Sequence, residues 1–169
     1  MPGYLNSAQM LLECDYQQAA ALLQDGQFEQ ARELFSSLAD QNYADADQQV
    51  LECDYRQARG LFNRNSFLGA ASIFNMLYTK YDYKDSGQYA DDSYFRLAGD
   101  AHYENDIILS VIYYGQAPKL NQTRWQALFN ELIDKAEGRC RSSAYTDEEK
   151  KAYYDAFSPY TNRLDFMKK

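Results

Sequence analysis

The strongest constraint on this chain's fold is that it repeats itself. Residues 3–23, GYLNSAQMLLECDYQQAAALL, align with residues 42–62, NYADADQQVLECDYRQARGLF, at an offset of 39, with ten of 21 positions identical. Chance would give roughly one or two identities, so the match is an internal duplication. A third, diverged copy follows at an offset of 40: Tyr43 maps to Tyr83, Asp45 to Asp85, Ala46 to Ser86, Cys53 to Ser93, Tyr55 to Phe95 and Ala58 to Ala98. Size and polarity persist better than identity, as expected at positions that pack.

The second half of each unit repeats as well. Gly26-x-Phe28-x-x-Ala31-x-x-Leu34-Phe35-x-x-Leu38 aligns with Asn65-x-Phe67-x-x-Ala70-x-x-Ile73-Phe74-x-x-Leu77, and then with Asn105-x-Ile107-x-x-Ser110-x-x-Tyr113-Tyr114-x-x-Ala117. Gly26, Asn65 and Asn105 are residue types that tolerate a left-handed backbone, which a tight helix-to-helix turn requires. Ala31, Ala70 and Ser110 are small enough to let a neighbouring helix approach. The larger apolar positions that follow fall on one helical stripe.

This pattern predicts an all-α chain of antiparallel two-helix units, about four in number: 4–41, 42–81, 82–118 and 119–158, with a tail at 159–169 carrying a basic end. Long first helices are expected near 5–25, 44–64, 84–104 and 122–141, and shorter second helices near 27–40, 66–81, 106–116 and 147–157. The fourth unit is the least regular. Its first helix rests on the stripe Trp125, Leu128, Phe129, Leu132, Ile133 and Ala136, and its second opens on Thr146-x-x-Glu149, a capping box. Ser158-Pro159 stops that helix. No β-hairpin signal appears, and Pro2, Pro118 and Pro159 all sit near expected helix ends, where a helical array tolerates them.

Composition narrows the function classes. The chain is 46% apolar, with 16 Tyr and 9 Phe, which is globular rather than disordered. Its net charge of −8 repels phosphate backbones, so nucleic acid is not expected as a partner, whereas a basic one is easily accommodated. The longest apolar run, Ile107 to Tyr114, falls short of a bilayer span, so no membrane insertion is expected. The opening Met1-Pro2-Gly3-Tyr4 lacks a signal peptide's basic stretch and apolar run. That favours the cytoplasm, although an exported or tethered fragment trimmed of its signal would read the same. Cys14, Cys53 and Cys140 include no CxxC pair and are expected to be buried small apolar residues.

Tyr16-x-x-Ala19-x-x-Leu22-x-x-x-Gly26-x-Phe28-x-x-Ala31-x-x-x-Phe35 resembles the tetratricopeptide repeat, whose second half reads G-x-[YF]-x-x-A-x-x-x-[FY]. The openings Tyr43-Ala44-Asp45-Ala46 and Tyr83-Lys84-Asp85-Ser86 are similar to a variant common in bacterial proteins. The likeness covers residues 4–117. The period of 39 to 40 exceeds the family's 34, and the usual closing proline is missing between units. The resemblance implies an α-solenoid coiled into a right-handed superhelix, whose concave groove acts as a scaffold binding a peptide or protein. Its ligand-facing columns, carried over by motif, are Glu13, Ala20, Leu23 and Gln24; Glu52, Arg59, Phe62 and Asn63; Asp92, Gly99, His102 and Tyr103.

Within these columns Glu13, Glu52 and Asp92 would form an acidic ladder able to hold a Lys- or Arg-bearing segment. The partner-binding candidates are therefore Glu13, Gln24, Glu52, Arg59, Asn63, Asp92, His102 and Tyr103. Most tyrosines fall at repeat-equivalent positions and are expected to pack between helices. Tyr89, Tyr94 and Tyr103 are the better candidates for exposed contact. A second reading is a structural, self-associating domain or part of a longer repeat protein, because the N-terminal helix is as apolar (Met10, Leu11, Leu12) as the internal ones. Catalysis has little support. His102 is the only histidine, and Asp100 and Glu104 do not share its helix face. No metal-ligand spacing or phosphate-cradling glycine loop occurs, so no cofactor or metal is expected.

Overall fold

A computed structural model describes residues 3–118 and 123–161, with side chains from residue 7 onward. The basic end of the tail and the link at 119–122 lie outside the described residues. The chain is all-helical: α1 (Gly3–Gln24), α2 (Phe28–Ala39), α3 (Ala46–Asn63), α4 (Phe67–Tyr81), α5 (Ser86–Tyr103), α6 (Ile107–Gln116), α7 (Thr123–Arg141) and α8 (Asp147–Phe157). No strand occurs among the described residues. The chain divides into two compact units at the Ser86–Gly87 boundary.

The turns inside the hairpins follow from their residues. Gly26, Asn65 and Asn105 take positive φ of 78°, 60° and 65°. Each lets the next residue reach back to a helix carbonyl: Gln27 to Leu22 (2.9 Å), Ser66 to Leu61 (2.9 Å) and Asp106 to Ala101 (2.8 Å). That is the six-to-one bond that closes a helix end. The N-cap positions are Gln27, Ser66, Asp106 and Thr146, so all four second helices begin in register. At Thr146 the capping box is complete, with Glu149 N–H donating to Thr146 Oγ1 (3.2 Å) and Thr146 N–H to Glu149 Oε2 (2.7 Å).

In the first unit α2 packs against both α1 and α3, and α4 packs against α3. Ala19, Leu23, Ala31, Phe35, Leu38, Ala46 and Cys53 form a continuous core. The alanines allow close helix approach, and burial of a ring such as Phe35 contributes about 2 kcal/mol. Tyr16 stands edge-on to Phe35 (5.4 Å, 75°), and its equivalent Tyr55 stands edge-on to Phe74 (5.8 Å, 71°).

The links between hairpins differ from expectation. Tyr43-Ala44-Asp45 and Tyr83-Lys84-Asp85 are loops, and α3 and α5 start two residues later than the sequence pattern suggests. Residues on both sides of each tyrosine adopt left-handed backbone: Asn42 and Ala44 (φ 52°, 50°), Asp82 and Lys84 (φ 46°, 49°). For alanine and lysine this conformation costs about 1 kcal/mol. The tyrosine's backbone N–H donates to Leu38 O (3.0 Å) in one loop and to Leu77 O (3.2 Å) in the other.

In the second unit α7 packs on α6 and α8. Trp125 is fully buried among Phe95 (5.1 Å) and Tyr114 (5.5 Å), and Tyr114 stacks on Phe129 at 4.4 Å. Buried Ser110 satisfies its hydroxyl by donating to Ala98 O at 2.7 Å. Gly115 lies close beneath Tyr160: a Cβ there would fall 1.7 Å from the Tyr160 hydroxyl, and that ring would have to shift.

Cys53 and Cys140 are buried, whereas Cys14, expected to be buried, is exposed. Tyr103 is 92% exposed, Tyr89 is half-buried, and Tyr94, expected at the surface, is buried.

Candidate functional site

In the first unit the carboxylates of the acidic column are tied into hydrogen bonds with tyrosines from the following loop. Tyr43 Oη donates to Glu13 Oε2 (2.6 Å), while Gln17 Nε2 donates to Glu13 Oε1 (2.9 Å). In return the hydroxyl of Tyr16 donates to Asp45, whose other oxygen takes Gln49 Nε2 at 2.9 Å. The pattern repeats one period later. Tyr83 Oη donates to Glu52 Oε2 (2.8 Å), and Tyr55 Oη donates to Asp85 Oδ1 (2.5 Å). Each loop therefore gives a tyrosine to one carboxylate of the preceding first helix and accepts a tyrosine from it. The Tyr-x-Asp spacing is what permits this reciprocal latch.

Cations complete the second latch. Glu52 also receives Arg56 Nε (2.8 Å) and the Lys84 ammonium. That ammonium lies 4.8 Å and 5.1 Å from the Tyr55 and Tyr83 ring centres, in cation–π range. The second unit keeps the idea and changes the chemistry. Asp92 accepts from Arg124 Nη2 (2.7 Å), and the same guanidinium bonds to buried Asp91, which takes Trp125 Nε1 at 2.9 Å.

These contacts shift the ionisations. The Tyr43 hydrogen bond, followed by that of Gln17, holds the Glu13 carboxyl below its usual range. Tyr16 likewise holds Asp45 low, and bonding to Asp45 pushes the Tyr16 phenol up to about 12. At Glu52 burial opposes ionisation, but the Lys84, Arg56 and Tyr83 hydrogen bonds outweigh it and that carboxyl also titrates low. Burial raises the Cys53 thiol to about 11, so it stays protonated and unreactive.

The remaining candidates fall as follows. Arg59 Nη1 donates to Tyr55 Oη at 3.2 Å, beside the second latch. Gln24 and Asn63 are exposed at the ends of α1 and α3, and Tyr103 is exposed at the end of α5. These three are one repeat column. His102 is half-buried, with Nε2 3.8 Å from Glu131. Tyr43, Tyr83, Lys84 and Arg124 were not among the candidates, although the recurrence of tyrosine at an interval of 40 was the visible signal for two of them.

Among the described residues no group of His, Cys, Asp and Glu could hold a metal ion, and no helix is long and apolar enough to cross a membrane. A cleft of about 280 Å³ at the α1–α2 turn, lined in part by Gln27, Glu29, Gln57 and Arg64, is polar and smaller than the roughly 300 to 1,000 Å³ of typical ligand pockets. Compared with known proteins, the chain matches no family model, no curated protein and no solved structure.

Proposed function

We propose that this chain is a tetratricopeptide-like α-solenoid with a right-handed superhelix, and that it serves as a non-catalytic protein–protein interaction module for a peptide or protein partner. The recurring hairpins, with their second helices beginning in one register after 27, 66, 106 and 146, support the repeat architecture. The observation that carries the functional reading is Tyr103, 92% exposed at the end of α5 in the second unit, at the repeat position that Gln24 and Asn63 hold, also exposed, in the first. These positions are equivalent in the repeat, polar or aromatic, and at the surface, while most other recurring aromatics are turned to packing. A fully displayed tyrosine supplies large contact area at low entropic cost, as interface anchors do. Arg59 and His102 stand one turn or less before Asn63 and Tyr103 on the same helices.

The acidic column has a narrower role in this reading. Glu13 and Glu52 already accept tyrosine hydroxyls, so a Lys- or Arg-bearing segment would have to compete with Tyr43 and Tyr83 for them. The net charge of −8 still favours a basic partner by steering its approach.

The test is a titration. A partner retained by the immobilised chain should bind Tyr103→Ala about tenfold more weakly, a loss of about 1.4 kcal/mol, and should bind the α2 surface variant Glu33→Ala as it binds wild type. Equal affinity for wild type and Tyr103→Ala, or no partner retained at all, rejects the proposal.

A further inference from the structure

The α2–α3 interface gives a template for two other faces of the molecule. On α3 the strip Val50, Cys53, Asp54 and Gln57 docks against α2. Cys53 is 0% exposed in the core it shares with Phe35, and Val50 packs on the same cluster. Asp54 Oδ1 pairs with Arg32 Nε at 2.7 Å, and Gln57 Nε2 donates to Glu29 Oε1 at 3.2 Å. The α2 side of this interface is therefore Glu29, Arg32 and Phe35, one residue per turn along a single face.

Shifted back by one repeat, the α3 strip becomes Leu11, Cys14, Asp15 and Gln18 on α1. Three of the four residues are identical and the fourth is apolar in both. All four are exposed, Leu11 to 66%. The identical cysteines differ only in having or lacking a helix over them. Shifted forward by the three intervals 39, 40 and 40 that the N-caps mark, the α2 strip becomes Glu148, Lys151 and Tyr154 on α8. Here too the chemistry is kept, as acid, cation and aromatic ring, and here too the residues are exposed. Among the described residues Lys151 makes only an exposed pair with Asp155 one turn away (2.6 Å), a contact of little energetic weight.

Of these residues α4 and α6 keep the aromatic ring alone, α5 keeps none, and α7 keeps Asp134 beside Asn130, Ile133 and Glu137. α4 carries Leu68, Ala71 and Phe74 in the α2 positions, and α6 carries Ile108, Val111 and Tyr114. α5 carries Ala90, Ser93, Tyr94 and Leu97 in the α3 positions. The complementary pair thus occurs at the first interface, and its two halves recur separately on α1 and α8.

We infer that a second copy of this chain covers the α1 face, with the α8 face of that copy seated on it: Asp15 against Lys151, Gln18 against Glu148, and Leu11 and Cys14 against Tyr154. Charge selects this occupant over a second α1. That helix contains no Lys, Arg or His, so two α1 faces together would leave both Asp15 carboxylates without a cation. The contact is heterologous, so copies add head to tail and form rings or open chains according to the rotation between them. This inference stands apart from the partner-binding reading and uses none of its residues.

Sedimentation across a concentration series, under reducing conditions to keep Cys14 from forming disulfides, tests it. The wild-type mass should rise with concentration. Leu11→Asp and Tyr154→Asp should each remain monomeric alone, and their mixture should form a 1:1 dimer that grows no further, because each supplies the face the other lacks. Asp15→Lys should also be monomeric, and Asp15→Lys with Lys151→Asp should associate again; this charge swap decides the matter if an aspartate at position 11 or 154 perturbs the helical circular dichroism. A wild type that is monomeric throughout overturns the inference. So does a Tyr154→Asp chain that still dimerises through α1, or a mixture of the two blocked variants that stays monomeric.

Discussion

The recurring tyrosines do different work in the two halves of each latch. Tyr16 and Tyr55 bury their rings against Phe35 and Phe74 and offer only the hydroxyl to the loop carboxylates. Tyr43 and Tyr83 come from the loop and bind the glutamates of the preceding first helix. Because Glu52 is partly shielded and also holds Lys84 and Arg56, Tyr83→Phe removes one donor of three from a half-buried carboxylate. It should lower stability by about 1 kcal/mol in chemical denaturation. Tyr43→Phe should cost less, since Glu13 is solvated and water replaces the lost donor. Tyrosine at these positions was legible as a repeat. Its pairing was not, because identity at an interval of 40 does not say which carboxylate a hydroxyl will reach. Cys14 makes the same point. It sits in a pentapeptide identical to that around Cys53, and only the neighbouring helix distinguishes an exposed thiol from a buried one.

At the level of helices, positions that required special backbone or small volume were the readable ones. Gly26, Asn65 and Asn105 turn left-handed as their residue types suggest, and Ala31, Ala70 and Ser110 are fully buried where helices meet. The starts of α3 and α5 were less readable. Ala44 and Lys84 are good helix formers, and local propensity extends the helix over them. The latch overrides propensity by holding the flanking tyrosine on the previous hairpin. α8 shows the opposite case, in which local signals suffice. Its capping box satisfies backbone donors at both Thr146 and Glu149 and favours the acidic first turn. Thr146→Ala should destabilise the second unit by about 1 kcal/mol, read as faster amide exchange in the first turn of α8 before any change in α6.

Across the whole chain, the latch carboxylates make stability depend on pH. Glu13 and Glu52 are lowered from 4.5 and Asp45 from 3.8. A carboxyl with a depressed native value stabilises fully above its unfolded value and loses that contribution as pH falls through the native one. Wild type should therefore lose stability as pH falls below the ordinary carboxyl values and through the depressed native ones, and urea midpoints measured over that descent should fall less steeply for the Tyr43→Phe, Tyr83→Phe double variant. At the alkaline end the sign reverses. Tyr16, raised from 10 to about 12, contributes below the ordinary phenol value and ceases to do so as pH climbs through its native one.

The reciprocal latch also bears on how such a chain can change length. Connecting loops ordinarily absorb insertions and deletions at small entropic cost. Here a tyrosine and an aspartate two residues apart must each meet a fixed point on the helix before them, with left-handed residues setting their aim. One added or missing residue between that tyrosine and aspartate would carry the pair off their partners, whereas the stretch before the tyrosine absorbs one: Leu38 to Tyr43 spans five residues and Leu77 to Tyr83 six, and the same backbone bond closes both. The length of the chain between hairpins can therefore change ahead of the latch but not within it, which gives a physical reason why Tyr-x-Asp keeps its spacing while the interval moves from 39 to 40.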